Sequence, residues 1–137
     1  MIFISIFIDT SVLVAYYNTD DEHHKKASKI MPEILNESFG KPFISDYIFD
    51  EVVTVVLVRT KNHEKAKLVG SDLLNTNVLY LKVNESIFFE AWKHFLENTP
   101  MSFTDFTMLT MIKRYTINYL ATFDKILAKE SGVKIIS

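Results

Sequence analysis

Cysteine is absent from these 137 residues, which excludes disulfides and thiolate metal sites. A chain with no disulfide to form suits a reducing cytosol, so a cytoplasmic location is the expectation. Glycine and proline number only three each. So few breakers argue against a turn-rich β-sandwich and for long regular elements with short connections. No apolar run approaches the ~18 residues that a membrane-spanning helix needs. The opening MIFISIFI resembles a signal peptide only in its hydropathy. It lacks a basic leading segment and a small-residue cleavage site, and it stops at Asp9, so a buried strand is the better reading. An excess of charge is also missing, the formal net charge being −2. Nothing global advertises nucleic-acid binding, although a site built of acids with its basic residues confined to one rim stays open.

What is there is apolar and aromatic. Apolar residues make up 48% of the chain and charged residues 23%, with eleven Phe and six Tyr, which is a globular composition. The length suits one domain spanning 1–137, large enough for a hydrophobic core. The pattern predicts a strand over 2–8, then a short helical turn through Val12–Tyr17 capped by Thr10 or Ser11. A helix from Asp20–Asp21–Glu22 to about Asn36 would bury Ala27, Ile30, Met31, Ile34 and Leu35. A very short strand at Phe43–Ser45 precedes a helix from Asp46 to about Thr60, and a further amphipathic helix spans His63–Leu74. Next come a strand at Asn77–Val83, a helix at Glu85–Glu97 stopped by Pro100, and a helix from Ser102 to about Arg114. A strand at Ile117–Thr122, a short helix at Asp124–Ser131 with Gly132 behind it, and a strand at Val133–Ile136 complete the chain. Strands alternating with helices predict an α/β sandwich with a mainly parallel central sheet.

Open parallel sheets bind ligands beyond the carboxyl ends of their strands. ISIFI runs directly into Asp9, and INYLATF into Asp124. An Asp behind a strand is more often a cap or turn residue than a ligand, so each acid alone is ambiguous. In the helix from Asp46, Asp50 shares a polar stripe with Asp46 and Thr54, whereas Glu51 is in line with Tyr47, Ile48, Val55 and Val58. A carboxylate on an apolar face needs an Arg or Lys partner or a metal. Asp105 lies in line with Met108, Leu109 and Ile112, and Ser102-Phe103-Thr104-Asp105 also has the spacing of a capping box. The two roles are compatible. His23 and His24 sit beside Lys25 and Lys26, and since neighbours on a helix diverge they read as solvated.

These acids, in this order and on these elements, resemble the PIN domain, and within it the VapC-type toxins. The matching segments are FIDTSVLVAYY, SDYIFDEVVTVVL, MSFTDFTMLTMIKR and YLATFDKILA, and together they span essentially the whole chain. The resemblance implies a three-layer α/β/α sandwich and a metal-dependent ribonuclease, the toxin of a type II toxin–antitoxin pair. It implies that Asp9, Glu51, Asp105 and Asp124 are catalytic acids that bind Mg²⁺ or Mn²⁺, as suits an all-oxygen donor set. It assigns supporting hydroxyls to Thr10 or Ser11, Ser102 and Thr122. It also implies a small antitoxin that wraps the toxin, and a homodimer or higher oligomer. Candidate RNA-binding cations are Arg59, Lys113, Arg114 and Lys125, each of which would otherwise be an ordinary surface charge. The aromatic segment Ile87–Phe95 could meet the antitoxin, against a plainer reading as a core face. Two departures stand out: Phe106 replaces a small residue and would reshape the pocket wall, and no Gly precedes the strand at Ile117.

Two other readings differ in class. An acid-cluster phosphatase of the haloacid-dehalogenase type would need a D-x-D pair, but Ser11 stands two residues after Asp9. A receiver domain would need an acidic pair and a late-strand Lys that the chain lacks. The remaining alternative is a non-catalytic RNA-binding or interaction module, against which the retention of all four acids argues.

Overall fold

The apolar run before Asp9 becomes the middle of the molecule. In this computed structural model, which describes residues 3–97 and 100–137, β1 (Ser5–Ile8) is buried along its whole length. Only a central strand covered on both faces is expected to read as continuous hydrophobic sequence. β1 pairs in parallel with β2 (Lys41–Ser45) on one side and β4 (Tyr119–Ala121) on the other. β3 (Leu79–Leu81) and β5 (Lys134–Ile136) extend the sheet to the order β3-β2-β1-β4-β5, every pairing parallel.

That order fixes the layers. The chain moves outward from β1 through β2 to β3, then returns to lay β4 and β5 on the opposite flank. With right-handed crossovers the helices before β3 and those after it must cover opposite faces. Accordingly α1 (Thr10–Tyr17), α2 (His24–Leu35), α3 (Asp46–Thr60) and α4 (His63–Leu74) pack together. α5 (Glu85–Glu97), α6 (Phe103–Arg114) and α7 (Lys125–Ser131) form the other group. The result is a three-layer α/β/α sandwich. The switch of direction falls between β1 and β4, where parallel sheets open a crevice.

Several boundaries depart from the sequence pattern. The strands expected over 2–8, 77–83 and 117–122 shorten to Ser5–Ile8, Leu79–Leu81 and Tyr119–Ala121. Met1 and Ile2 lie outside the described residues, while Phe3 and Ile4 are exposed. Hydropathy marks what could be buried, whereas a strand ends where its neighbour stops offering hydrogen bonds. The N-cap of α1 is Asp9, not Thr10 or Ser11, and its side chain makes no cap bond because it is committed elsewhere. Asp20–Glu22 precede α2 instead of opening it. Val58 is 67% exposed, so the apolar line through Glu51 ends at Val55. The positions expected to bury α2 do so, with Ala27, Met31 and Ile34 in the core and Ile30 and Leu35 packed against it.

Five described residues have positive φ (Glu37, Gly40, Lys61, Thr116 and Gly132), and two of them bear on the sheet. Gly40 (φ +84) admits β2 to the sheet, since a Cβ there would meet the Ile4 carbonyl oxygen at 2.1 Å. Thr116 adopts φ +53 just before Ile117, at the turn where the glycine is missing. A β-branched residue in that region is strained.

Candidate active site

The register of β1 on β4 aligns Ile8 with Ala121, and the Asp9 N–H donates to the Ala121 carbonyl at 2.9 Å. The residues that follow each strand therefore meet. Thr122 Oγ1 donates to Asp9 Oδ2 at 2.8 Å, and Ser11 Oγ donates to the same oxygen at 2.6 Å. The Phe123 and Asp124 N–H groups donate in turn to Ser11 Oγ and Thr122 Oγ1, at 3.1 and 3.0 Å. Two hydroxyls thus lock Asp9 to the loop that carries Asp124. Of Thr10 and Ser11, it is Ser11 whose hydroxyl bonds the Asp9 carboxylate. Thr10 Oγ1 is buried with no hydrogen-bond partner, and Thr10 lines the cavity.

Asp9, Glu51, Asp105 and Asp124 line one cavity of about 500 Å³. Glu51 arrives from the middle of α3, whose N-terminus Ser45 caps by accepting the Ile48 N–H at 3.1 Å. Asp50 is exposed and accepts from Thr54 at 3.4 Å. Asp105 and Ser102 form the anticipated capping box, each side chain accepting the other's backbone N–H, at 3.2 and 3.1 Å. Asp124 caps α7, its Oδ1 accepting the Ile126 and Leu127 N–H groups. Both acids keep a second oxygen free of these caps. Among the described residues, no three His, Cys, Asp or Glu side chains are gathered closely enough to hold a metal ion as they stand.

Charge is uncompensated here. Among the described residues none of the four carboxylates has an ion-pair partner. Burial pushes the Asp9 carboxyl above the usual range; the Ser11 and Thr122 hydrogen bonds oppose that, and the Glu51 charge adds to it. Burial likewise raises Asp105 to about 6, against its Ser102 hydrogen bonds and with the help of the Asp9 and Asp124 charges.

The basic residues divide. Arg59 lines the cavity and faces Asp21 at 3.4 Å. Lys125 is exposed one residue beyond Asp124. Lys113 and Arg114 are not brought to the cavity. They end α6 at the opposite pole from Asp105, where Lys113 lines a different cavity and Arg114 binds Glu90 and Ser86. Phe106, expected to reshape the pocket, is turned away to that same second cavity, its ring 6.1 Å from Phe95. His23 and His24 are partly covered and engaged, not fully solvated as expected. His24 Nδ1 lies 2.7 Å from the Ala15 carbonyl, and His23 lines the acid cavity with its ring stacked on Phe123.

Similarity to solved structures agrees with this architecture. VapC20 of Mycobacterium tuberculosis, a toxin that cleaves the sarcin–ricin loop, is 23% identical with a TM-score of 0.80, over 93% of this chain and 95% of that one. VapBC2 of Rickettsia felis, bound to promoter DNA, is 11% identical with a TM-score of 0.68, covering 96% and 97%. FitAcB of Neisseria gonorrhoeae is 14% identical with a TM-score of 0.64, covering 96% of each. At these identities the likeness is one of fold. Among proteins of curated function none matches by sequence. The PIN domain family model matches residues 6–132, nearly the whole chain, and the protein belongs to the PIN domain family.

Proposed function

We propose that this chain is a divalent-metal-dependent endoribonuclease and the toxin of a toxin–antitoxin pair. The observation that carries the proposal is the convergence of Asp9, Glu51, Asp105 and Asp124 on one cavity without a cationic partner. Carboxylates held together at such a position repel one another and favour protonation unless positive charge joins them. A hard divalent ion, Mg²⁺ or Mn²⁺, suits donors that are all oxygen. Such an ion, when bound, supplies charge stabilisation for phosphodiester hydrolysis and the means to ionise a water near neutral pH.

The chain's own residues do the rest. Ser11 and Thr122 direct Asp9, and by holding the loop after β4 they fix Asp124 relative to it. The capping box holds the Asp105 side chain, so its free oxygen is presented from a rigid helix start. Arg59 is the cavity's guanidinium and is placed to take a phosphate oxygen in exchange for Asp21. Lys125, exposed beside Asp124, is a second backbone contact.

The fold relatives named with antitoxin partners support a small antitoxin for this chain, as does the apolar surface of α5, where Phe89 and Leu96 are 58% and 67% exposed. A homodimer is part of the same proposal. Cytoplasmic action is part of the same proposal; among the described residues no helix is long and apolar enough to cross a membrane. The test is RNA cleavage by purified protein in Mg²⁺, Mn²⁺ or EDTA, alongside Asp9→Asn. Cleavage that requires metal and disappears in the variant is expected. Cleavage that persists in EDTA, or in Asp9→Asn, would sink the mechanism.

A further inference from the structure

Asp21, His23, Arg59 and Phe123 line the acid cavity together and are tied to one another. Asp21 Oδ1 accepts the His23 backbone N–H at 2.8 Å, while its Oδ2 faces the Arg59 guanidinium at 3.4 Å. One carboxylate therefore holds both the His23 backbone and a cation. The His23 ring lies nearly parallel to that of Phe123, centroids 4.7 Å apart and planes inclined by 24°. Phe123 is itself fixed, because its N–H donates to Ser11 Oγ and it directly precedes Asp124. His23 Nε2 meets Glu22 at 3.3 Å, which holds the imidazole by its edge.

Neither ring is buried, and the His23 side chain is 37% exposed. Core packing does not call for a half-open aromatic stack at the mouth of a carboxylate cavity. A nucleic-acid strand does, because a phosphodiester cannot reach the acids without bringing its bases, and every base offers a π-face to an aromatic platform.

We infer that the His23–Phe123 stack is the base platform of this cleft, on which a nucleobase next to the scissile phosphodiester rests while Arg59 holds the adjoining phosphate. The inference rests on the nuclease reading of the same site. It names the substrate class as single-stranded or looped RNA, since a base inside a duplex cannot be laid on a protein ring. Asp21 is a positioning residue, acting through His23 and Arg59.

The test is a set of anisotropy titrations of the full chain, with Mn²⁺ and with EDTA. They use a short labelled single-stranded RNA and the same strand made abasic at one position at a time. For the parent, removing one base is expected to weaken binding about 5- to 100-fold. His23→Ala is expected to lose the same factor on the intact strand and to become indifferent to that base. His23→Trp restores the dependence, which a packing role would not predict. The platform is overturned if no position is base-dependent, if His23→Ala keeps the parent's profile, or if His23→Trp fails to restore it. Cleavage, assayed separately, distinguishes the two ideas. A parent that shows the base dependence yet never hydrolyses RNA upholds the platform and defeats the nuclease reading. A cleaving parent whose profile survives His23→Ala defeats the platform alone.

Discussion

The two ends of the sheet hold cavities of the same size, about 500 Å³ each, and they differ in almost everything else. The one at the carboxyl ends of the strands gathers Asp9, Glu51, Asp105 and Asp124, with Asp21 and Glu22 at hand. The one against the amino ends of β1 and β4, which reaches across to Phe43 on β2 and Leu81 on β3, is walled by Phe3, Phe43, Leu81, Tyr115 and Ile117, with no acid among its lining residues. Volume does not separate a working site from an incidental hollow. What separates them is that one end spends stability to hold unpaired carboxylates, while the other follows ordinary apolar packing.

Crossed substitutions give the largest effects. Glu51→Gln is expected to lower RNA cleavage by about 100-fold or more, in the range seen when one electrostatic contributor is removed, with little change in the unfolding midpoint. Ile117→Ala, at the apolar end and only 4% exposed, is expected to cost about 2–5 kcal/mol of stability. Denaturant titration measures that loss, and cleavage per folded molecule should stay at the parent's value. If both variants shift both readouts alike, the division between the ends is wrong.

A smaller effect concerns pH. Asp105 titrates near 6 in the folded chain against 3.8 for an ordinary Asp, and Asp9 is raised as well. Between those values the folded state holds more protons than the unfolded one. Metal-free stability contributed by Asp105 is therefore present below about pH 4 and lost as pH rises through about 6, and Asp9 acts in the same direction. Thermal unfolding across that range should show the decline, and Mn²⁺ should raise the midpoint more at pH 7 than at pH 5. A flat profile would remove the uncompensated carboxylates from the account. The smallest effect belongs to Thr116, whose φ of +53 glycine accepts without strain. Thr116→Gly should gain up to about 1 kcal/mol, partly offset by the entropy of the unfolded glycine.

Much of the acid end was legible in the sequence because its determinants are local. A hydropathic run that stops at Asp9 or near Asp124 marks a strand end, and helical phase separates Glu51 from Asp50. The spacing from Ser102 to Asp105 is itself the capping box. His23 was not legible. Its reading assumed a helix opening at Asp20–Asp21–Glu22, which in fact starts at His24 and leaves His23 just outside, and its partner Phe123 is remote in sequence. Lys113 and Arg114 could have been excluded by arithmetic: eight and nine residues beyond Asp105 on α6 they lie about 12–14 Å along the axis, too far to share a phosphate with it. The strain at Thr116 leaves no hydropathic trace, although a missing glycine before a strand was its one signal.

The most direct measurement is a calorimetric titration of Mn²⁺ into the metal-free protein and its Asp9→Asn variant at neutral pH. Saturable binding by the parent that is lost in Asp9→Asn, and that weakens as pH falls through about 6 where Asp105 takes up its proton, is the expected result. No saturable binding by the parent, or binding undiminished in the variant, would contradict a metal-dependent carboxylate site.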